Sequence, residues 1–309
     1  LVRLDVHVHL VSTGTSPRFR RSLPYRLLRR VQRLPADEDA ASRLYAERLV
    51  SHARTAREID GAVVLALDRP YSEAGLPLPA HLCVSNEEVA AICGPTNRLF
   101  LGASVHPYRP DALEMLEHAA QLGAVLIKWL PPTQRMDPAS PQCRPFFARM
   151  RELGLPLLIH VGNERTLPSH DQALGDPQRL VSPLEMGLTV IAAHAGTRGG
   201  LVADPFPQET AQLCARYPRL FLDCSAFASP ARLHAMRQMW IIPRLRERFV
   251  YGSDFPVPLV FPLFWRRGDP ELLSRARATA NPLDARARVA RAIGVPDEAF
   301  SRGAKLLRS

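Results

Sequence analysis

Lysine is almost missing from this chain of 309 residues: 38 of its 40 basic side chains are Arg, and only Lys128 and Lys305 are Lys. Paired cysteines are missing too. Cys83, Cys93, Cys143, Cys214 and Cys224 are odd in number and have no close spacing, which excludes a disulfide framework and a Cys-x-x-Cys zinc site and points to a reducing, cytoplasmic compartment. No apolar run reaches the roughly 20 residues of a spanning helix, and the opening residues carry no basic-then-apolar leader, so neither membrane insertion nor export is expected. No Gly-x-Gly-x-x-Gly turn or phosphate loop follows any β-type run, which argues against a doubly wound nucleotide-binding sheet. No low-complexity stretch marks a linker, so 1–309 reads as a single domain.

The composition, 46% hydrophobic and 23% charged, is that of a globular protein with ample core. Its net charge of +10 is largely local, because residues 18–34 hold seven Arg and no acid. From Pro24 onward Leu27, Leu28, Val31 and Leu34 recur at helical spacing between Arg26, Arg29, Arg30 and Arg33, which predicts a short basic amphipathic helix. Such a helix packs its apolar stripe on the body of the protein, acts as a lid that attracts an anionic substrate, forms a subunit contact in a homo-oligomer, or meets a membrane surface without inserting across it. No aromatic platform is interleaved with the arginines, so no nucleic-acid partner is expected.

Short β-type runs at 2–9, 61–67, 99–105, 124–130, 156–161, 189–194, 220–224 and 249–252 alternate with helical runs at 41–59, 86–93, 110–121, 141–153, 177–186, 207–217 and 231–248. Eight such units predict an α/β fold, a (β/α)8 TIM barrel. Residues 11–40 then form a long basic first βα loop, and 270–309 add C-terminal helices.

Polar residues interrupt these runs where barrel enzymes keep their catalysts, at the C-terminal ends of strands. His7 and His9 share one face of strand 1, Lys128 ends strand 4, His160 ends strand 5, His194 ends strand 6, and Asp254 follows strand 8. Imidazoles and a carboxylate without thiolate suit Zn²⁺, with Mn²⁺, Fe²⁺ or Co²⁺ as alternatives. Lys128 stands out against the arginine background. Arg stays protonated, whereas a buried Lys can become a neutral amine, so Lys128 is either a carbamate bridging two metals or a cation that orients a substrate anion. Among loop residues, His106, Tyr108, Arg135, Glu164, Arg165, His170 and Arg198 are candidate substrate contacts. Arg198 leads them, since it lies in the turn holding Gly196, Gly199 and Gly200 and offers bidentate geometry to an anion. Cys224 reads as a buried filler.

The motifs DVHVH, VHP, IKWLPP, LPLLIHVG, IAAHAG, YGSDFP and RGAKLL span nearly the whole chain, and together they resemble the amidohydrolase superfamily, in its amidohydrolase-related branch of hydrolases, decarboxylases and hydratases. By that resemblance His7, His9, His160 and Asp254 hold or face the metal, and His194 is a second-metal ligand or a catalytic imidazole. Trp129 after the Lys and the Arg-rich first loop depart from the family pattern and take no role from it. The expected activity is metal-dependent hydrolysis of a small, anionic ester, lactone, amide or related substrate, with Asp254 taking the proton of a metal-activated water. The alternative is non-oxidative decarboxylation or hydration of an unsaturated or aromatic acid at a mononuclear site, with Lys128 cationic and His194 as acid/base.

Overall fold

The computed structural model describes residues 2–11, 14–199, 206–228, 230–240, 242–264 and 268–307; Gly200 and parts of the expected 11–40, 231–248 and 270–309 segments lie outside them. The strands are β1 (Leu4–His9), β2 (Gly61–Leu65), β3 (Leu99–Ala103), β4 (Leu126–Trp129), β5 (Leu157–Ile159), β6 (Val190–Ala192), β7 (Leu220–Asp223) and β8 (Phe249–Val250). They pair in parallel in sequence order. Val6 N–H donates to Tyr251 O at 3.0 Å, Asp254 N–H to His7 O at 2.9 Å and His9 N–H to Phe255 O at 2.7 Å, which joins β8 to β1 and closes the barrel.

The strands are shorter than the sequence runs, and the difference falls where the chemistry is. His160, His194 and Asp254 lie just beyond their strands. His194 and Ala195 adopt φ of 57° and 56° and Asp254 φ of 55°, left-handed conformations that break the ladder and turn those side chains away from regular alternation.

β1 contains a register slip of the same consequence. Asp5 pairs with Ala62 but Val8 with Val64, so β1 carries one extra residue between them. In unbroken alternation Val6 and His7 point to opposite faces. The extra residue lets Leu4 and Val6 fill the barrel floor with Val63, Leu65, Leu126, Leu158, Ile191 and Val250, while His7 and His9 both reach the mouth. Helix Asp297–Leu306 lies under the floor, where a Cβ on Gly303 would come 2.8 Å from Val6 Cγ1. The outer helices bury the other faces of the strands in one continuous apolar shell.

The C-terminal helices expected in 270–309 are Pro270–Arg277, Pro282–Ala292 and Asp297–Leu306. The run at 231–248 divides into Pro230–Trp240 and Pro243–Arg246, because Pro243 lacks the N–H that would continue a helix. The basic loop folds as two helices, Pro17–Arg20 and Leu23–Val31, capped by the Ser16 and Ser22 hydroxyls. Its apolar stripe is not the one the spacing indicates. Phe19 and Tyr25 are buried, Leu28 and Leu34 pack on the core, and Leu27 and Val31 point to solvent.

Gly162, just past β5, has φ of 89°, and a Cβ there would collide with the Thr197 carbonyl and the Arg198 backbone. Neither wall is a side chain that can rotate away. Gly162→Ala is expected to cost about 2–4 kcal/mol, from left-handed strain plus overpacking. Chemical denaturation measures it, and an unchanged midpoint would contradict the tight seat assigned to this turn.

Candidate metal centre

Asp223, the last residue of β7, is fully buried and gathers four donors. Its Oδ2 accepts from His7 Nδ1 at 2.6 Å; its Oδ1 accepts from His194 N–H at 2.8 Å, Ser225 N–H at 3.0 Å and Ser225 Oγ at 2.5 Å. Burial alone would raise this carboxyl, but His7, Ser225 and the Lys128 charge hold it below the usual carboxylate value. It is therefore an acceptor throughout neutral pH.

That fixes the imidazole protons. His7 carries its hydrogen on Nδ1 and presents a lone pair on Nε2. Ser225 spends its single hydroxyl hydrogen on Asp223, so His194 Nδ1, 2.8 Å from Ser225 Oγ, is the donor of that contact. His194 Nε2 then accepts from His160 Nδ1 at 3.1 Å. The last group in the chain is His160 Nε2, left with a lone pair and buried without a hydrogen-bond partner among the described residues. One buried carboxylate thus sets three tautomers.

His7 Nε2 lies 3.1 Å from His9 Nε2 and 3.6 Å from Asp254 Oδ1, and His9 Nε2 lies 3.0 Å from the same Oδ1. Among the described residues these three form the cluster of His, Cys and acidic side chains able to hold a cation. Two ligands each about 2.1 Å from an ion at 90–109° to one another are about 3.0–3.4 Å apart, so the His7–His9 and His9–Asp254 edges fit, while the 3.6 Å His7–Asp254 edge is wider and corresponds to an angle of about 118°. Side-chain exposure of 39% at His9 and 17% at Asp254, against 1% at His7, opens the cluster toward the mouth. Burial would raise Asp254, yet the His9 hydrogen bond, the adjacent His7 and the Lys128 charge hold it far below the usual range.

Lys128 Nζ is 3.5 Å from His7 Nε2, on the inner wall of β4. Burial pushes its pKa down to about 8 against the opposing pull of Asp223, Asp254 and Glu164. Burial, then the Arg232 charge, drives His160 and His194 well below their usual values, so both are neutral. Their rings lie 4.8 Å apart, and His194 is 5.4 Å from His7, but neither belongs to the three-residue cluster.

The loop candidates divide. Both nitrogens of His106 are committed to structure: Nε2 donates to Gln134 O at 2.8 Å and Nδ1 accepts from Tyr108 N–H at 3.1 Å. Tyr108 is buried and its hydroxyl accepts from Asp137 N–H. Glu164 is buried, accepts from Thr166 and Leu167 N–H, and lies 3.6 Å from His160 Nδ1, so it faces the imidazole chain. Arg165 is exposed and donates to Gly199 O at 3.2 Å. Arg135 and His170 line a cavity of about 70 Å³ together with His81, Thr133 and Ser169. The Arg198 side chain is exposed, and its carbonyl accepts from Asn163 N–H. Cys224 is buried, as expected of a filler.

Three residues at the centre carry no role in the sequence reading: Asp223, Ser225 and Arg232. The buried Arg232 donates to Val161 O, Asn163 O and Thr197 O, clamping the loops after β5 and β6 beside the two imidazoles. Asp223 was detectable. It interrupts the apolar run at 220–224 just as Lys128 interrupts strand 4.

A family model described as "Amidohydrolase" matches residues 4–292, so the chain belongs to this family. Several solved structures share its fold. An uncharacterized TIM-barrel protein from Bordetella bronchiseptica is 18% identical at a TM-score of 0.61, covering 98% of this chain and 100% of that one. A probable 2-pyrone-4,6-dicarboxylic acid hydrolase from Acinetobacter baumannii, with citric acid bound, is 16% identical at 0.57, covering 97% and 100%. A 5-carboxyvanillate decarboxylase from Sphingomonas paucimobilis is 16% identical at 0.52, covering 97% and 99%. No curated protein matches the chain. Family and fold therefore define an amidohydrolase-type TIM barrel whose structural neighbours include a hydrolase and a decarboxylase.

Two outcomes follow from this geometry. Asp223→Asn, which removes the fixed His7 tautomer, is expected to weaken Zn²⁺ binding about 10–100-fold in competition with a chromogenic chelator; unchanged affinity would show that His7 is oriented by something else. Burial lowers the His106 pKa to about 4 from an unfolded value of about 6.5. Folding then excludes a proton that the unfolded chain takes up, so the stabilisation is complete above pH 6.5 and is lost as pH falls toward 4. Ring-carbon NMR should find His106 neutral at pH 5.5, and a midpoint above 6 would contradict its burial.

Proposed function

We propose that this protein is a metal-dependent hydrolase of a small anionic ester, lactone or amide, with one divalent cation held by His7, His9 and Asp254. Zn²⁺ is the first choice, with Mn²⁺, Fe²⁺ or Co²⁺ as substitutes. The observation that carries this reading is the convergence of two imidazole nitrogens and a carboxylate oxygen at 3.0–3.6 Å, with His7 tautomerically set by Asp223. A bound divalent cation supplies Lewis acidity there, polarising a carbonyl oxygen and acidifying water.

The remaining steps belong to the chain's own groups. Asp254 is anionic at neutral pH and partly open to the mouth, so its carboxylate accepts the proton of the attacking water and returns it to the leaving oxygen or nitrogen. Lys128, mostly protonated at pH 7, supplies a buried positive charge for a substrate carboxylate. Neutral His160, whose Nδ1 faces both His194 Nε2 and Glu164 Oε2, offers its Nε2, which has no hydrogen-bond partner among the described residues, as a further ligand or hydrogen-bond acceptor. The cavity lined by Arg135, His81 and His170 beside Asp68 could take a polar substituent of the substrate, and Arg198, exposed in the loop after β6, is the proposed contact for its anionic group. A carboxylated Lys128 bridging two ions is the binuclear form of the same reading.

One observation favours a second reading. A cationic Lys128 beside a three-ligand cluster also suits a hydroxyl-carboxylate pair, the ground state for non-oxidative decarboxylation or hydration, with His194 as the acid/base.

Assays on a panel of esters, lactones, amides and aromatic acids, with metal content measured in parallel, separate these readings. Hydrolysis with one cation per chain is expected, Asp254→Asn lowering kcat about 10²–10⁴-fold and Lys128→Arg retaining measurable turnover because the charge remains. Two cations with bicarbonate-dependent activity lost in Lys128→Arg would establish the binuclear form, and CO₂ release without hydrolysis would establish the lyase.

A further inference from the structure

The first βα loop presents a surface that the chemistry at the barrel mouth does not use. In helix Leu23–Val31, Leu23, Leu27 and Val31 recur every four residues, which places them in one row, and they are 76%, 49% and 48% exposed. Arg26 and Arg30, spaced the same way, form the adjoining row. Arg18, Arg21, Arg26, Arg30 and Arg33 are all exposed, and among the described residues none of them pairs with an acid; the first acid after this segment that meets one of its arginines is Glu38, which takes Arg29. The buried side of the same helix is already occupied by Tyr25 and Leu28, so the exposed leucines are not an incompletely packed core face.

The exposed apolar side chains continue beyond this helix. Leu76, 64% exposed, sits in the loop after β2, and Val260, 47% exposed, in the loop after β8. β8, β1 and β2 are neighbours around the barrel, so three adjacent loops on the mouth face each present a large apolar group to solvent. Within the described residues no helix is long and apolar enough to cross a membrane, so the feature is one of a surface, not of a span.

We propose that this sector is a docking surface for an anionic lipid bilayer. An apolar row inserts at the boundary of headgroups and acyl chains while an adjoining arginine row meets lipid phosphates and carboxylates, an arrangement in which both halves of the exposed face are satisfied at once. Charge selects this occupant over a second copy of the chain, because a symmetric contact would bring five unpaired arginines against five others. It also selects against nucleic acid, which gives exposed Leu23, Leu27 and Val31 nothing to bind, while Phe19 and Tyr25, the two aromatics of the segment, are buried. The bilayer would lie beside the mouth that bears His9 and Asp254.

The test is cosedimentation of the full chain with vesicles of phosphatidylcholine alone or with one-third phosphatidylserine. Binding to the anionic vesicles only is expected, lost at high salt because the Debye length contracts. Arg26→Glu with Arg30→Glu, and separately Leu27→Glu, should each lower partitioning about tenfold or more; both alter solvent-facing positions, and an unchanged melting temperature confirms folding. Failure to bind anionic vesicles would overturn the proposal, as would Leu27→Glu binding like the parent, or a concentration-dependent dimer broken by Leu27→Glu without any vesicle binding. Tighter binding of duplex DNA than of anionic vesicles would overturn it in favour of a polyanion site.

Discussion

The Asp223 carboxylate is the constraint on which the rest of the centre depends. It is buried at the end of β7, with β1 on one side through His7 and the loop after β6 on the other through the His194 amide. Four donors make an ionised carboxylate tolerable where water cannot reach it. Because it has no hydrogen to give, every neighbour must donate to it, and that direction propagates through Ser225 and His194 to His160. A protonated or neutral replacement would release the hydrogens in that chain to reorient, with no change in the barrel itself.

The strand register explains how His7 comes within reach of Asp223. A regular β1 would have to choose between an apolar floor and a polar mouth, and the extra residue between Asp5 and Val8 removes the choice. Left-handed turns at His194 and Asp254 serve the same end at the other strands. The departures from regular secondary structure are concentrated where the candidate ligands are, as expected of a site that draws on strain the barrel can absorb.

Most of the fold was legible in the sequence because alternation of β-type and helical runs reports burial directly, and the family match from Leu4 to Ala292 agrees with the barrel that this alternation implies. The candidate ligands were legible for the same reason: His7, His9, Lys128, His160, His194 and Asp254 interrupt apolar runs, and the barrel brings them to one end. How they divide was not legible. Whether His194 faces an ion or another imidazole depends on the backbone twist at two residues and on Ser225, neither of which has a periodic signature. His106 looked like a site residue by the same criterion and proves to be a latch between loops, because strand-end position does not reveal that Gln134 and Tyr108 occupy both its nitrogens. In the basic segment, helical spacing correctly indicated amphipathicity but placed the buried stripe one row away, since Phe19 and Tyr25 outcompete Leu27 and Val31 for the core.

The most direct measurement is anomalous diffraction from crystals of the Zn²⁺-loaded protein. One ion bonded to His7 Nε2, His9 Nε2 and an Asp254 oxygen, with His7 Nδ1 still donating to Asp223, is the predicted result. An ion seated instead between Lys128 and the His160–His194 pair, or no ordered ion at the His7–His9–Asp254 cluster, would contradict it.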